Sequence, residues 1–224
     1  MQIADTGTQK HLRFDTTIVT VGAGAFKVTG RRSGANTADM TTTQRIYDSV
    51  GDHRDRSTIA TFFYSGDGHS QWHMNNLERY QLFRLDESGD AVEPAAGEGA
   101  KNGFCYYDNE SWGSPEPTYC PGCENGNPSA LRVRMGLSRA WSDTYPSTLR
   151  TRYIDVTGLA DGRYRLQVTA DEADGFLESD ETNNLAWADL EITGTTVTVL
   201  QYGPSAPRAA KLQHRWNLRE QDLS

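Results

Sequence analysis

His69 and His73 stand four residues apart in the stretch GDGHSQWH, residues 66 to 73, with Trp72 between them. Imidazole nitrogen suits copper and zinc. Two local geometries would put such a pair on one face. A helix does so at positions i and i+4. A strand does so at i, i+2 and i+4, because its side chains alternate. The glycines around the stretch and the β-rich run before it favour the strand. His69, Gln71 and His73 then share one face, and Ser70 and Trp72 the other. Three imidazoles at that spacing would signal copper or zinc, but Gln71 holds the middle position and offers an amide oxygen, a hard neutral ligand. On spacing alone, a ligand pair and two histidines at a surface or core edge are equal readings.

Cysteine is the second reactive group. Cys105, Cys120 and Cys123 make an odd count, and the last two form CPGC. A redox CxxC opens a helix after a strand, whereas this one lies in SPEPTYCPGCENGNPS, a run rich in proline, glycine and asparagine. A structural disulfide from Cys105 to Cys120 or Cys123 is the better reading. A zinc knuckle would need a fourth ligand that is not evident. The acidic run ESDETNN, 178 to 184, clusters oxygen ligands of the kind calcium takes. It lacks the glycine spacing of a calcium loop, and Asn183 and Asn184 read as residues that hydrogen-bond the turn backbone.

The elements that would carry these groups are strands. LRFDTTIVTVG, 12 to 22, alternates and is rich in β-branched residues. AGAFKVTG, QRIYDSVG and STIATFFYSGDG read as further strands, with RRSGANTADMTTT as a loop. LERYQLFRLDESGDAV reads as strand, turn and restart, and residues 94 to 130 as mostly loop. RYRLQVTA sets Tyr164, Leu166 and Val168 against Arg163, Arg165 and Gln167, and LAWADLEI returns with Leu185 and Trp187. Two such runs joined by a polar corner make a hairpin of an Ig-like sandwich. The fold class is therefore mostly β: a single Ig-like β-sandwich domain with long loops. Residues 1–11 read as a flexible lead-in, 12–200 as the sandwich, and 201–224 as a tail or a short helix.

The 224 residues suffice for one large domain with a real core. No apolar run is long enough to span a membrane. A net charge of −8 argues against nucleic acid, which calls for a basic stripe. That charge is compatible with cationic substrates, but a solvated acidic surface is the better reading. The start MQIADTGTQKHLRF has no basic or apolar segment of a signal peptide.

Taken together, LRFDTTIVTVG, GDGHSQWH, AKNGFCYYDN, WSDTYPSTLRTRYIDVTG and LESDETNN resemble the lysyl oxidases, particularly short bacterial members, over about residues 12 to 192. The resemblance implies a copper amine oxidase with a self-made quinone, lysine tyrosylquinone. It implies copper(II) on His69 and His73, with Gln71 where the family's H-x-H-x-H motif has its middle histidine. The quinone would form from Lys101 in KNGFC and Tyr145 in SDTYP, and Cys105 would be disulfide-bonded to Cys120 or Cys123. Without the resemblance, Lys101 is a loop lysine and Tyr145 a turn tyrosine before Pro146. Asp143, two residues before Tyr145, is a candidate base by proximity. His11, His53 and His214 have no spacing that makes them replacement ligands. Oxidising proteins of this type are usually exported.

Two functions then compete. One is a copper-dependent oxidase that turns the amine of protein lysine, or a small primary amine, into an aldehyde with molecular oxygen, releasing peroxide and ammonia. The other is a catalytically impaired β-sandwich module for binding or adhesion, in which Gln71 marks a decayed site. A redox or zinc protein built on CPGC is a distant third. Retention of both Lys101 and Tyr145 favours the oxidase.

Overall fold

Alternating, β-branched stretches become strands throughout the computed structural model, which describes residues 1–48, 50–65, 68, 70–75, 77–99, 103–113, 118–119, 122–203 and 212–215. In chain order the strands are β1 (Gln2–Asp5), β2 (Lys10–Arg13), β3 (Thr16–Val19), β4 (Phe26–Arg31), β5 (Met40–Tyr47), β6 (His53–Tyr64), β7 (Trp72–Met74), β8 (Glu78–Leu85), β9 (Ala91–Glu98), β10 (Glu110–Ser111), β11 (Arg132–Leu137), β12 (Trp141–Tyr145), β13 (Ile154–Asp155), β14 (Gly162–Ala170), β15 (Leu185–Thr193), β16 (Thr196–Gly203) and β17 (Leu212–Arg215). No helix occurs among the described residues. The protein is mostly β, as its patterning implies.

Two five-stranded sheets dominate, in the orders β11-β4-β5-β6-β7 and β16-β15-β14-β8-β9. Both feed one buried cluster. Val28, Met40, Phe62, Trp72 and Met135 come from the first, and Leu82, Tyr164, Leu166, Val168 and Leu190 from the second. A sandwich-like layering follows, because each sheet hides its apolar face against the other. A four-stranded sheet, β10-β12-β3-β17, and a three-stranded one, β1-β2-β13, complete the set. All recorded pairings are antiparallel except β17 with β3.

The hairpin of β14 and β15 pairs Tyr164 with Leu190 and Val168 with Ala186. Tyr164, Leu166 and Val168 are buried as their alternation requires. On β15 the buried face is Ala186, Ala188, Leu190 and Ile192, while Leu185 is exposed and Trp187 only partly covered. The register decides this, since a strand's face is set by its partner and not by its largest residues. Trp187 instead lies under the Arg165 guanidinium, 4.2 Å from its centre.

Four segments differ from their sequence reading. Residues 1–11 are not a lead-in: β1 and β2 pair in register from Gln2–Arg13 to Asp5–Lys10. The run 12 to 22 splits into β2 and β3, which belong to different sheets. The loop reading of residues 31 to 43 ends too late, because β5 begins at Met40, whose side chain is buried. In the tail, Leu212–Arg215 is extended beside β3, and residues 204–211 and 216–224, where the rest of the helix reading falls, lie outside the described residues.

Candidate active site

The opening motif sits where β6 folds back as β7. Ser65 N–H donates to the Gln71 carbonyl at 2.8 Å and closes the loop. Gly68 and Ser70 take positive φ, 95° and 51°, so the chain turns there. Strand geometry therefore starts only at Trp72, and the alternation expected from His69 onward does not apply upstream of Gln71. His69 lies outside the described residues. Gln71 and His73 do come together: the carboxamide nitrogen of Gln71 is 3.2 Å from His73 Nε2. An amide N–H can only donate, so Nε2 is the acceptor nitrogen of the ring in this arrangement. His73 is 1 % exposed, and its ring meets the edge of Phe63, its register partner, at 5.9 Å.

Asp143 and Tyr145 come from β12, opposite Ile18 and Thr16 of β3. Two residues apart on a strand, they face the same way. Thr144, between them, points to the other side and pairs with Thr17 through hydroxyls 2.9 Å apart. Asp143 is buried. The Tyr145 hydroxyl donates to the Cys105 carbonyl at 2.7 Å, and its ring packs edge-on against Phe104 at 4.9 Å. Burial first, and then the neighbouring Asp143 carboxylate, push the Tyr145 phenol well above its usual 10. Tyr145 is thus a neutral phenol at pH 7.

The segment around Phe104 joins these two parts. Phe104 exchanges both backbone hydrogen bonds with Met74, next to His73, at 2.7 and 2.9 Å. Gly103 makes this approach possible. Its φ is +86°, and a Cβ there would lie 2.7 Å from Phe63 Cε1 and 2.9 Å from the Met74 carbonyl. Cys105 follows and is disulfide-bonded to Cys123. The Cys123 carbonyl accepts the Trp72 N–H at 3.0 Å. Of the two partners open to Cys105, the structure selects Cys123; Cys120 lies outside the described residues.

One solvent-open cavity of about 780 Å³, its mouth included, is lined by Gln71, His73, Cys105, Tyr107, Gly122, Asp143, Thr144, Tyr145, Pro146 and Leu149. Four residues singled out from sequence, Gln71, His73, Asp143 and Tyr145, therefore share it. Lys101 lies outside the described residues, as His69 does. Among the described residues no three His, Cys, Asp or Glu side chains are grouped to hold a metal. The described donors are one imidazole, which suits copper(II), with one carboxylate and one carboxamide, whose oxygens are hard donors.

A profile of the lysyl oxidase family matches residues 60–202. The chain belongs to the lysyl oxidase family. Human protein-lysine 6-oxidase is similar at 27% identity over 132 residues, which is 58% of this chain and 29% of that protein. Human lysyl oxidase homolog 1 is similar at 30% identity over 129 residues, 56% of this chain and 20% of that protein. The chicken protein-lysine 6-oxidase matches at 27% over the same share of this chain as the human protein. The chain thus spans less than a third of the length of these relatives. The matched region contains all the site residues named above and leaves β1 to β5 outside it.

Sequence reasoning missed two parts of this candidate site. One is the Cys105 carbonyl that holds the Tyr145 hydroxyl, a backbone acceptor with no sequence signal. The other is Arg152, whose guanidinium donates to the Tyr145 carbonyl at 2.5 Å. An arginine just before the apolar residues of YIDV is its sole trace.

The acidic corner is separate. Glu178, Asp180 and Asn183 line a second cavity with residues 20–26 and 44–47. Its turn is capped by Asp180, which accepts from Thr182 N–H and Oγ1, and by Glu181, which accepts from Glu178 N–H. Asn183 and Asn184, expected to hold the turn backbone, do not make those bonds, because the carboxylates are better acceptors placed nearer the free amides. Asn184 instead donates to Glu178 at 3.4 Å. Burial, with Glu181 and Asp171 close by, pushes the Glu178 carboxyl up to about 9.

Proposed function

We propose that the chain is a copper-dependent amine oxidase that converts the primary amine of protein lysine, or a small primary amine, into an aldehyde, with release of hydrogen peroxide and ammonia. The observation that carries this reading is the convergence of Gln71, His73, Asp143 and Tyr145 on one cavity. Copper(II) held by His73, with His69 and Gln71, and a quinone made from Lys101 and Tyr145 would supply the oxidation, with molecular oxygen as acceptor.

The chain's own residues do the rest. The open mouth admits an alkylammonium. Asp143, buried and on the face of β12 that carries Tyr145, is placed to take the proton from the carbon next to the substrate nitrogen. Asp143 also supplies the negative charge that attracts a cationic amine into the cavity. Cys105 fixes the Tyr145 ring by its hydroxyl end. The Cys105–Cys123 disulfide fits an exported protein, since such bonds persist in oxidising compartments. No helix among the described residues is long and apolar enough to cross a membrane.

The alternative is an impaired binding module of the same family. Gln71, in contact with His73 where the family motif has a histidine, is the observation that favours it. Protein expressed with copper under air separates the two. The oxidase reading expects an intact mass shifted by the cross-link, a visible quinone band, and peroxide released on addition of a primary amine. Asp143→Asn should keep the band and lose turnover by about a hundredfold or more, as removal of a general base does. Copper-loaded protein with no mass shift, no band and no peroxide would leave the module reading.

A further inference from the structure

Beside Tyr145 lies a buried cation, Arg152. Arg152 is 1 % exposed, and among the described residues no acidic side chain forms an ion pair with it. A guanidinium does not give up its proton inside a protein, so the charge stays. Keeping it there is costly unless its donors are used. Three acceptors use the terminal ones, Thr16 Oγ1, the Phe14 carbonyl and the Tyr145 carbonyl, while Nε–H finds no acceptor among the described residues. The rings of Phe14, Tyr80 and Tyr145 surround the guanidinium, with centroids 5.4, 5.7 and 6.0 Å from its central carbon. Their faces favour a cation at this range.

The placement has a mechanical result. Thr16 opens β3 and Tyr145 closes β12, and the two are register partners. Pro146, which follows, has no N–H to extend the ladder. Arg152, from the loop beyond, ties the end of β12 to the start of β3. Tyr145 is therefore held twice: at its hydroxyl by Cys105 and at its carbonyl by Arg152. The placement sets charge beside the ring too. Burial, Asp143 and Glu78 oppose a negative charge on Tyr145, and the Arg152 guanidinium is the cation that lies 6.0 Å from its centroid.

We propose that Arg152 is a positioning residue for Tyr145, fixing the ring in the cavity and setting a permanent positive charge beside it. This rests on the amine-oxidase reading, in which Tyr145 is the ring to be oxidised. The test uses the full chain with ring-labelled tyrosine, and Tyr145→Phe identifies the Tyr145 resonance. In Arg152→Gln that resonance should shift and broaden. Quinone absorbance after copper and air should grow roughly ten- to a hundredfold more slowly, the scale of a lost positioning contact. Arg152→Lys, which keeps the charge without the planar fork, should recover part of both effects. Thr16→Val removes one acceptor and should move the Tyr145 resonance the same way by less.

A folded Arg152→Gln whose Tyr145 resonance and quinone growth match the parent would overturn the proposal. Should Arg152→Gln fail to fold, Thr16→Val decides: an unmoved Tyr145 resonance there overturns it, and a shifted one supports it. If the parent makes no quinone, the amine-oxidase reading fails by itself. The resonance of Tyr145 in the variants then decides whether Arg152 positions the ring.

Discussion

Gln71 donates to His73 Nε2, the nitrogen lone pair that a metal ion would also take. Substituting Gln71→His removes that competitor and adds an imidazole in its place. Copper titration followed by calorimetry should show tighter binding in Gln71→His, and quinone absorbance should rise faster. Equal affinity in both forms would mean that position 71 does not face the metal. A second residue-scale prediction concerns acid. Glu178 titrates near 9 in the fold, against an ordinary 4.5. Between those values the native protein holds a proton that the unfolded chain has released. Stability conferred by that proton is therefore fully present below the lower value and is lost as pH rises toward the upper one. Thermal melts across this window should show a falling Tm that Glu178→Gln flattens, because the amide is neutral throughout.

At the scale of the element, the turn into Phe104 is the weak point. Gly103→Ala would place a methyl against Phe63 and the Met74 carbonyl at a positive φ. A cost of about 1–3 kcal/mol is expected for such a backbone position. Urea denaturation should show that loss, and copper affinity should fall with it, because Phe63 is the register partner of His73. These elements were unequally readable. Strand β14 declared itself by strict alternation, because one face is buried along its length, whereas β15 buries Ala188, Asp189 and Leu190 in succession and alternates less cleanly. The segment before β7 did not. Gly68 and Ser70 turn the chain through positive φ, and a serine at such a position carries little warning. The cavity is a meeting of β7, β12 and the Phe104 segment, which are distant in sequence. Only the family resemblance brought Tyr145 and His73 together in advance, since no local pattern links them. Arg152 stayed hidden because buried arginines are rare and its acceptors are mostly carbonyls.

Over the whole molecule, early and late strands are interleaved. Ile154 pairs with Leu12, Asp143 with Ile18, and Gln167 with Gln81. Neither half of the chain can complete its sheets alone. Urea unfolding followed by tryptophan fluorescence and by far-ultraviolet circular dichroism should therefore give superimposable transitions. Two separated midpoints would show that the sheets melt as independent units. Such long-range pairing also slows folding, into the millisecond-to-second range for comparable β topologies. The Cys105–Cys123 bridge adds a different consequence. It closes a stretch 18 residues long and is worth about 3 kcal/mol in the chain-entropy model. Its two carbonyls also hold the Tyr145 hydroxyl and the Trp72 amide. A reducing environment would withhold that brace, leaving the segment that holds the Tyr145 hydroxyl without its covalent tie to the one that holds the Trp72 amide. An oxidising space would therefore act as a fastener, setting the two segments in place only once the bridge closes.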